Sequence, residues 1–488
     1  MSRILFVMPE PGYLRMYATT VLALAERGHE MLLAYDRPPK EDRDTDALAA
    51  APPTLRVLGT VPDHGGAWRQ PLIELGVTID YIRFLSRREG TRYLRGRMDR
   101  YLPVRFHGLK RVHSWPHGVV NALFKLSRLV ERAVPADSGL VRFLDEIAPD
   151  ALIVTPLVLR GPGGAQQTQL VKAARHLGIP VALAVGSWDH LSSKGLIRVR
   201  PDAVIVWNAV QRGEAVQMHD VPPGCVVVTG SQAFDLWFER QPVLDREAFR
   251  ARVGLPGEGR LILYAGSSRG ITTPEQEVPF VRAWLTAIRA SSDSALRSAA
   301  VLVRPHLGNV EAWAGVDLSD LGPVSVWPKQ RPRLPMNELE TADYFHSMYY
   351  SDAVVGINTS AMIEASILDR PVLTVQVEAF RDTQAGTKHF HYLLPAAGGC
   401  VLSADTFDEH VRQLAEAVAH PEASRPARQR FVEQFVRPLG RDRRALDAVV
   451  EAIERVPHLR VPARGGSPLW LAPVRWAFRH AMGRPSSS

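Results

Sequence analysis

From Gly356 to Ala365 the sequence reads Gly-Ile-Asn-Thr-Ser-Ala-Met-Ile-Glu-Ala, an apolar strand that begins at Asp352, runs into three small polar residues and then meets a carboxylate. These residue types suit a nucleotide diphosphate. Asn358, Thr359 and Ser360 can cap a helix while leaving backbone N–H groups at its positive end, where an anion is favoured without a lysine. Glu364 follows one turn further in; the alternative for it is a surface Glu stabilised by the helix dipole by up to about 1 kcal/mol. The next apolar run, Pro371 to Val375, closes a strand-helix-strand unit, so the helix start is expected at the carboxyl edge of a parallel sheet, where open α/β sheets bind ligands.

Other polar clusters also follow predicted strands. Arg269 comes after Gly266-Ser267-Ser268, and Arg304 and His306 come after the run ending at Val303. The stretch from Phe380 to His391, with Lys388, His389 and His391, is polar, charged and aromatic together. Ser268, Arg269, Arg304, His306 and Lys388 thus join Asn358, Thr359, Ser360 and Glu364 as candidate nucleotide-binding residues. Asp189 and His190, in Gly-Ser-Trp-Asp-His, are the first candidates for a base. Glu10 is the second, with Arg15, Trp188, Ser192 and Lys194 expected to contact a substrate at the same edge. A helix cap by Asp189 or Ser192 is the structural alternative. The Gly161-Pro162-Gly163-Gly164 run lacks Gly-x-Gly-x-x-Gly spacing and reads as a flexible turn. No Asp-x-Asp signature occurs, so no metal is required by this reading.

The elements that must position these residues alternate between strand and helix. Ile4–Met8, a helix with Ala18, Val21, Leu22 and Ala25 on one face, and Met31–Tyr35 form a βαβ unit. The pattern returns at Ala151–Val154, Val181–Val185, Ala203–Trp207 and Cys225–Val228, and again from Leu261 through Val301, Val324, Ala353 and Val372. The fold class expected is α/β: two doubly wound Rossmann-like domains facing across a cleft, with C-terminal helices. The expected division is an N-terminal domain over 1–238 with a basic helical insertion at 60–135, a linker at 239–259, and a second domain over 260–424. A helix at 425–456 is expected to pack back across the domains, with a basic amphipathic or disordered tail at 457–488.

At 488 residues, 46% hydrophobic and 23% charged, the chain reads as globular and multidomain. Its N-terminal apolar run is too short for a secretory signal and no run approaches a membrane span, so a cytoplasmic location is expected. Cys225 and Cys400 lack metal-ligand spacing and are expected to be buried, inert thiols. The net charge of +8 is unevenly placed. From Arg83 to Arg111 the chain carries Arg83, Arg87, Arg88, Arg92, Arg95, Arg97, Arg100, Arg105, Lys110 and Arg111, interleaved with Tyr81, Phe84, Tyr93, Tyr101 and Phe106. That pattern reads either as a surface for phosphate-rich partners or as a solvated helical face. No nucleic-acid motif accompanies it, so no nucleic-acid partner is expected. The tail places Val474, Ala477, Phe478, Ala481 and Met482 on one helical face, with Trp470, Trp476 and arginines nearby. It suits the interface of an anionic leaflet, with docking on the protein or disorder as alternatives.

The opening segment, Arg3 to Ala34, resembles the start of GT-B fold glycosyltransferases, with its strand, loop, helix and Arg-Gly-His-Glu turn. The segment Ser360 to Val375 resembles their donor-site signature, except that Asp369-Arg370-Pro371 stands where the family often has Gly-x-Pro. The resemblance implies a donor nucleotide on the C-terminal domain, an acceptor on the N-terminal one, and Glu364 holding ribose hydroxyls. Ser187 to Asn208 also resembles bacterial surface-carbohydrate proteins and polymer glycerophosphotransferases. The function implied is transfer of a sugar from a nucleotide-sugar, a substrate rather than a cofactor, to a bacterial surface glycan or lipid-linked acceptor, peripherally on the inner face of the cytoplasmic membrane. A nucleotide-sugar epimerase of the same fold, a glycerophosphotransferase-like enzyme and a non-catalytic assembly protein are the alternatives.

Overall fold

The computed structural model describes residues 1–38, 48–49, 51–63, 69–86, 92–332, 338–461 and 469–482. The chain divides into two compact units, Met1–Ala233 with Arg437–Ser488, and Phe234–Val436. Each is built on one wholly parallel sheet.

In the first unit the strands β1 (Arg3–Met8), β2 (Glu30–Tyr35), β3 (Leu55–Thr60), β4 (Ala151–Val154), β5 (Val181–Ala184), β6 (Ala203–Val206) and β7 (Val226–Val228) lie in the order β3-β2-β1-β4-β5-β6-β7. The two-residue strand period divides β1 between two cores. Ile4, Phe6 and Met8 pack with Leu14, Tyr17 and Val21 of helix Leu14–Glu26 and with Leu446, Val449 and Ile453 of helix Ala445–Glu454. Leu5 and Val7 pack on the other face with Leu140 and Leu144, and with Leu170 and Val171 of helix Gly161–Leu177. Edge strand β3 was not apparent in the sequence, because none of its residues is fully buried and its hydrophobic alternation is weak.

In the second unit β8 (Leu261–Ala265), β9 (Ala300–Arg304), β10 (Val324–Val326), β11 (Ala353–Gly356), β12 (Val372–Val375) and β13 (Leu402–Ala404) take the order β10-β9-β8-β11-β12-β13. Helix Pro274–Arg289 covers one face through Val281, Trp284, Leu285 and Ile288. The Trp284 indole donates to His410 Nε2 at 3.0 Å, and burial pushes that imidazole down to about 4, so it accepts as a neutral ring.

Several expectations change. Residues 239–259, expected as a linker, belong to the second unit and include helix Arg246–Arg252, whose Phe249 is fully buried; the prolines and glycines mark only the turns around it. The single helix expected over 425–456 is Arg425–Phe431, a π turn at Val432–Val436, and Ala445–Glu454. Pro438 and Gly440, the latter at φ +116, interrupt it. Cys400 is buried as expected, while Cys225 is partly exposed.

The basic insertion is helical, but one of its arginines and two of the interleaved aromatic residues are interior. Arg83, Tyr81 and Phe84 are buried on helix Arg69–Ser86, which packs against helices His117–Ala133 and Gly161–Leu177. A helix covered on two sides reads as amphipathic in neither direction. Arg100, Tyr101 and Arg111 are exposed, and Arg105 pairs with Glu74. Arg87 and Arg88, and the side chains of Arg92, Tyr93, Arg95 and Arg97, lie outside the described residues, as do those of Phe478, Arg479, Ala481 and Met482 in the tail.

Candidate functional site

The strand order of the second sheet reverses between β8 and β11, and the loops leaving the carboxyl ends of these strands hold the expected donor residues. Ser268 and Arg269 follow β8, Arg304 and His306 stand at the end of β9, Asn358, Thr359 and Ser360 follow β11, and Lys388 opens the short helix Lys388–His391 beyond β12. Backbone contacts draw these loops together. Gly266 N–H donates to Arg304 O at 2.8 Å, and a Cβ at Gly266 would stand 2.8 Å from His306 N and 3.0 Å from Pro305 Cα, so only glycine permits this approach. Asn358 N–H donates to Ser267 Oγ at 3.3 Å across the reversal point.

The polar residues before helix Ala361–Ile367 do less capping than expected. Asn358 is buried, and its amide donates to Thr383 O at 2.7 Å; Ser360 makes no side-chain cap, and Thr359 Oγ1 reaches Ala361 N only at 3.4 Å. Asn358 therefore fastens the following loop instead. Gln384, fully buried, completes that fastening by donating to Ile357 O, Thr374 Oγ1 and Val375 O at 3.0–3.2 Å. The loop borders a cavity of about 590 Å3 at the ends of β12 and β13, lined by Gln376, Val377, Glu378, Arg381, Ala385 and Asp405. Arg269 Nε donates to Asn309 Oδ1 at 3.1 Å, and the exposed His306 accepts from Gly308 N–H at 3.1 Å.

Glu364 is not the plain exposed carboxylate that its helix position suggested. Tyr344 donates to its Oε2 at 2.5 Å, and the Arg304 guanidinium lies over the Tyr344 ring, 5.0 Å from its centroid. Arg304 itself is buried and donates to Ser347 Oγ at 2.9 Å. Desolvation raises the Glu364 carboxyl to about 7 against the opposing hydrogen bond from Tyr344, and lowers Arg304 to about 10. The three residues form a relay from β9 through helix Glu338–Tyr349 to helix Ala361–Ile367. Sequence reasoning missed Tyr344, which sits on the element before β11, where nothing in spacing marks it.

In the first unit the order reverses between β1 and β4. Gly161-Pro162-Gly163-Gly164, read above as a flexible turn, is the first turn of helix Gly161–Leu177 beside this point. A Cβ at Gly164 would stand 1.8 Å from Leu159 O, which accounts for that glycine. The expected acceptor-side residues gather at the same edge. Glu10 precedes the turn Pro11–Tyr13 and pairs with Arg37 at 3.4 Å; Tyr13 is held above its ordinary range by burial and feels the charges of Arg15, Glu10, Asp189 and Arg37. His190 in turn feels Asp189, Lys194 and Arg15.

Asp189 organises its own loop. It accepts from Ser187 Oγ at 2.7 Å and Ser193 Oγ at 3.0 Å and pairs with Lys194 at 3.2 Å, and helix His190–Ser193 has no side-chain cap. His190 is buried and burial lowers its imidazole to about 4, leaving it neutral at physiological pH; its Nδ1 has no hydrogen-bond partner among the described residues. Ser192 and Trp188 are buried too, while Arg15 is exposed.

Two positioning devices were not evident in the sequence. Arg83 donates to Gly195 O at 3.1 Å and to Leu191 O at 3.2 Å, so the buried insertion helix carries the loop that presents His190. His219 Nδ1 accepts from Ile197 N–H at 3.1 Å, which puts its proton on Nε2, donated to Leu191 O at 2.8 Å. The second device is Asp36 at the end of β2, held by Gln167 Nε2 at 2.8 Å and raised by burial to about 7. Gln167 also donates to Thr155 O and accepts from Leu157 N–H, linking β2 to β4 across the reversal point. Among the described residues no cluster of His, Cys, Asp and Glu is placed to hold a metal ion.

No protein-family model matches the chain, and no curated protein sequence matches it significantly. Solved structures do. The UDP-GlcNAc 2-epimerase from Neisseria meningitidis, bound to UDP-GlcNAc, aligns over 93% of this chain and 100% of its own at 13% identity and a TM-score of 0.51. Arabidopsis thaliana UGT89C1, complexed with UDP, aligns over 92% and 99% at 15% identity and a TM-score of 0.50. A glycosyltransferase from Rickettsia africae aligns over 93% and 98% at 9% identity and a TM-score of 0.50. With two wholly parallel sheets, each reversing its strand order once, the chain has the GT-B type of fold, two Rossmann-like α/β domains, that these glycosyltransferases and epimerases share.

Proposed function

We propose that the chain is a nucleotide-sugar-dependent glycosyltransferase, the second unit holding the donor and the first the acceptor, a surface glycan or its lipid-linked precursor, on the inner face of a bacterial cytoplasmic membrane. The observation that carries this reading is the Arg304–Tyr344–Glu364 relay at the reversal edge of the second sheet. A carboxyl held near neutrality takes two hydroxyl donors once ionised, as a ribose presents them. Arg269 and Lys388, on neighbouring loops of that edge, supply charge for a diphosphate. In the first unit, neutral His190 offers a lone pair to an acceptor hydroxyl, with Glu10 as the second candidate base and Arg15, Trp188, Ser192 and Lys194 placing the acceptor. Same-fold structures carrying UDP and UDP-GlcNAc favour a uridine nucleotide donor.

A thermal-shift screen against UDP, GDP, CDP, CMP and TDP tests the donor half, because a ligand that binds the native state raises its melting temperature by mass action. No shift with any of them rejects the reading and leaves a non-catalytic assembly protein. The likeness to a 2-epimerase at the same level as to the transferases favours epimerisation as a second reading. Incubation with the nucleotide-sugar and no acceptor separates the two: inverted stereochemistry at the sugar ring, read by NMR, establishes epimerisation and removes transfer.

A further inference from the structure

We propose that Glu277, on helix Pro274–Arg289, is a positioning residue for the nucleotide edge of the second unit: its carboxyl sets Ser267, and Ser267 sets the loops that carry Arg269 and Asn358. The inference rests on the reading of that edge as the donor site and names what holds the loops of that site in register. Helix Pro274–Arg289 turns Val281, Trp284, Leu285 and Ile288 onto the sheet. Glu277 lies on the same stripe, one turn before Val281, and is fully buried. Packing alone calls for an apolar residue there, since a buried carboxyl costs free energy unless hydrogen bonds compensate it.

The Glu277 Oε1 atom accepts from Ser267 N–H at 2.9 Å and from the Tyr264 hydroxyl at 3.1 Å. Burial pushes the carboxyl up to about 7, against donation by Ser267, Tyr264 and Trp313. Because both bonds end on Oε1, a proton on Oε2 leaves them intact, and an amide can take the place of the carboxyl. Ser267 commits its other polar atoms to two further loops. Its carbonyl accepts from Asn309 Nδ2 at 3.1 Å, and its Oγ accepts from Asn358 N–H at 3.3 Å. Asn309 Oδ1 in turn accepts from Arg269 Nε at 3.1 Å, and the Asn358 amide donates to Thr383 O at 2.7 Å. Ser267, Asn309 and Asn358 are buried, whereas Arg269 is exposed. One polar network therefore runs beneath the loops that follow β8, β9, β11 and β12, and its arginine reaches solvent. Groups already fixed in place lose less freedom when an anion binds, so a diphosphate gains from this bracing without touching Glu277.

The test pairs titration calorimetry with UDP and hydrogen exchange read by mass spectrometry, both on the full-length protein. Glu277→Gln keeps an acceptor at Oε1 and should bind UDP within about threefold of wild type, whereas Glu277→Leu fills the stripe but accepts nothing and should bind about tenfold or more weakly. Ser267→Ala keeps both backbone bonds, loses the one from Asn358 and should bind about fivefold more weakly. Tyr264→Phe removes the other donor to the same oxygen, on the side away from the loops, and should bind as wild type does. In Glu277→Leu the amides of residues 266–270 and 357–361 should exchange on the order of tenfold faster while β8 and β11 keep their protection; in Ser267→Ala the change should be confined to 357–361. Failure of wild type to bind UDP rejects the uridine-donor reading, and the exchange measurements then decide the network by themselves. Wild-type affinity in Glu277→Leu, binding by Glu277→Gln as weak as that of Glu277→Leu, or protection lost throughout both strands rather than in the loops would overturn the proposal. If Glu277→Leu does not fold, Ser267→Ala decides: unchanged exchange over 357–361 overturns the proposal, and faster exchange confined there supports it.

Discussion

Glu364→Gln offers the sharpest test of the donor site, because structure dictates how its effect depends on pH. The carboxyl is raised by desolvation to about 7, and hydroxyl donors require its ionised form. Nucleotide affinity should therefore be level above pH 7 and fall about tenfold for each pH unit below it. At pH 8 the Gln variant should bind about 1 to 3 kcal/mol more weakly, having lost a charged acceptor, and its affinity should not vary between pH 8 and 6. Wild type and variant thus converge on acidification. Tyr344→Phe should move the wild-type midpoint upward, since the tyrosine's hydrogen bond is what holds the carboxyl down. The same proton acts on folding. Between pH 4.5 and 7 the folded carboxyl keeps a proton that the unfolded chain has released, so stability falls as pH rises through that window, by at most about 3 kcal/mol. The assay is titration calorimetry of the nucleotide selected by the thermal-shift screen, at pH 5.5 to 8.5, on all three proteins. A flat wild-type profile, or parallel profiles in wild type and Glu364→Gln, refutes the assignment.

Asp36→Asn should remove a similar penalty in the first unit: its raised carboxyl costs stability as pH climbs from 3.8 to about 7, so the variant should gain about 2 to 4 kcal/mol on wild type between pH 5 and 8 in urea unfolding. His190→Ala should lower turnover on the order of a hundredfold at unchanged donor affinity, and wild-type turnover should show no ionisation near the usual histidine range, because burial holds the imidazole near 4. Arg83→Met leaves the Gly195 carbonyl without its arginine donor and the Leu191 carbonyl with His219 alone, and should cost about 1 to 3 kcal/mol of stability, with turnover falling more than donor affinity; full activity would sever the insertion helix from the site. Gly266→Ala forces a methyl against His306 N and Pro305 Cα and should weaken nucleotide binding while costing about 1 to 3 kcal/mol in melting experiments.

The sheets were legible because their central strands are continuous apolar runs, such as Leu261–Ala265 and Val181–Ala184, and because both faces of such strands are buried. Strands β3 and β13 escaped notice since they lie at sheet edges, are mostly unburied and intersperse polar residues or glycine among few apolar ones. Placement at a strand's carboxyl end was enough to collect Ser268, Arg304, Asn358 and His190 at the two reversal edges, but not to say what their side chains touch. Asn358 looked like a cap and is a fastener; Arg83 looked like surface charge and is an internal brace. Tyr344, Asp36 and Gln384 became visible only through their partners, contacts between residues from 10 to 131 positions apart that no local pattern encodes.

The order in which the chain is made gives the return of residues 437–488 to the first unit a further meaning. The second unit is one uninterrupted segment, Phe234–Val436, complete before the ribosome reaches Arg437. The first unit begins earlier and finishes later. Until helix Ala445–Glu454 emerges, the face of its sheet that carries Phe6, Tyr17 and Val21 lacks Leu446, Val449 and Ile453, and so remains an open apolar surface through the synthesis of about two hundred residues. The half of the molecule translated first is thus the last to close, and a nascent chain stalled before Ala445 should carry a folded second unit behind a first unit that still recruits chaperones.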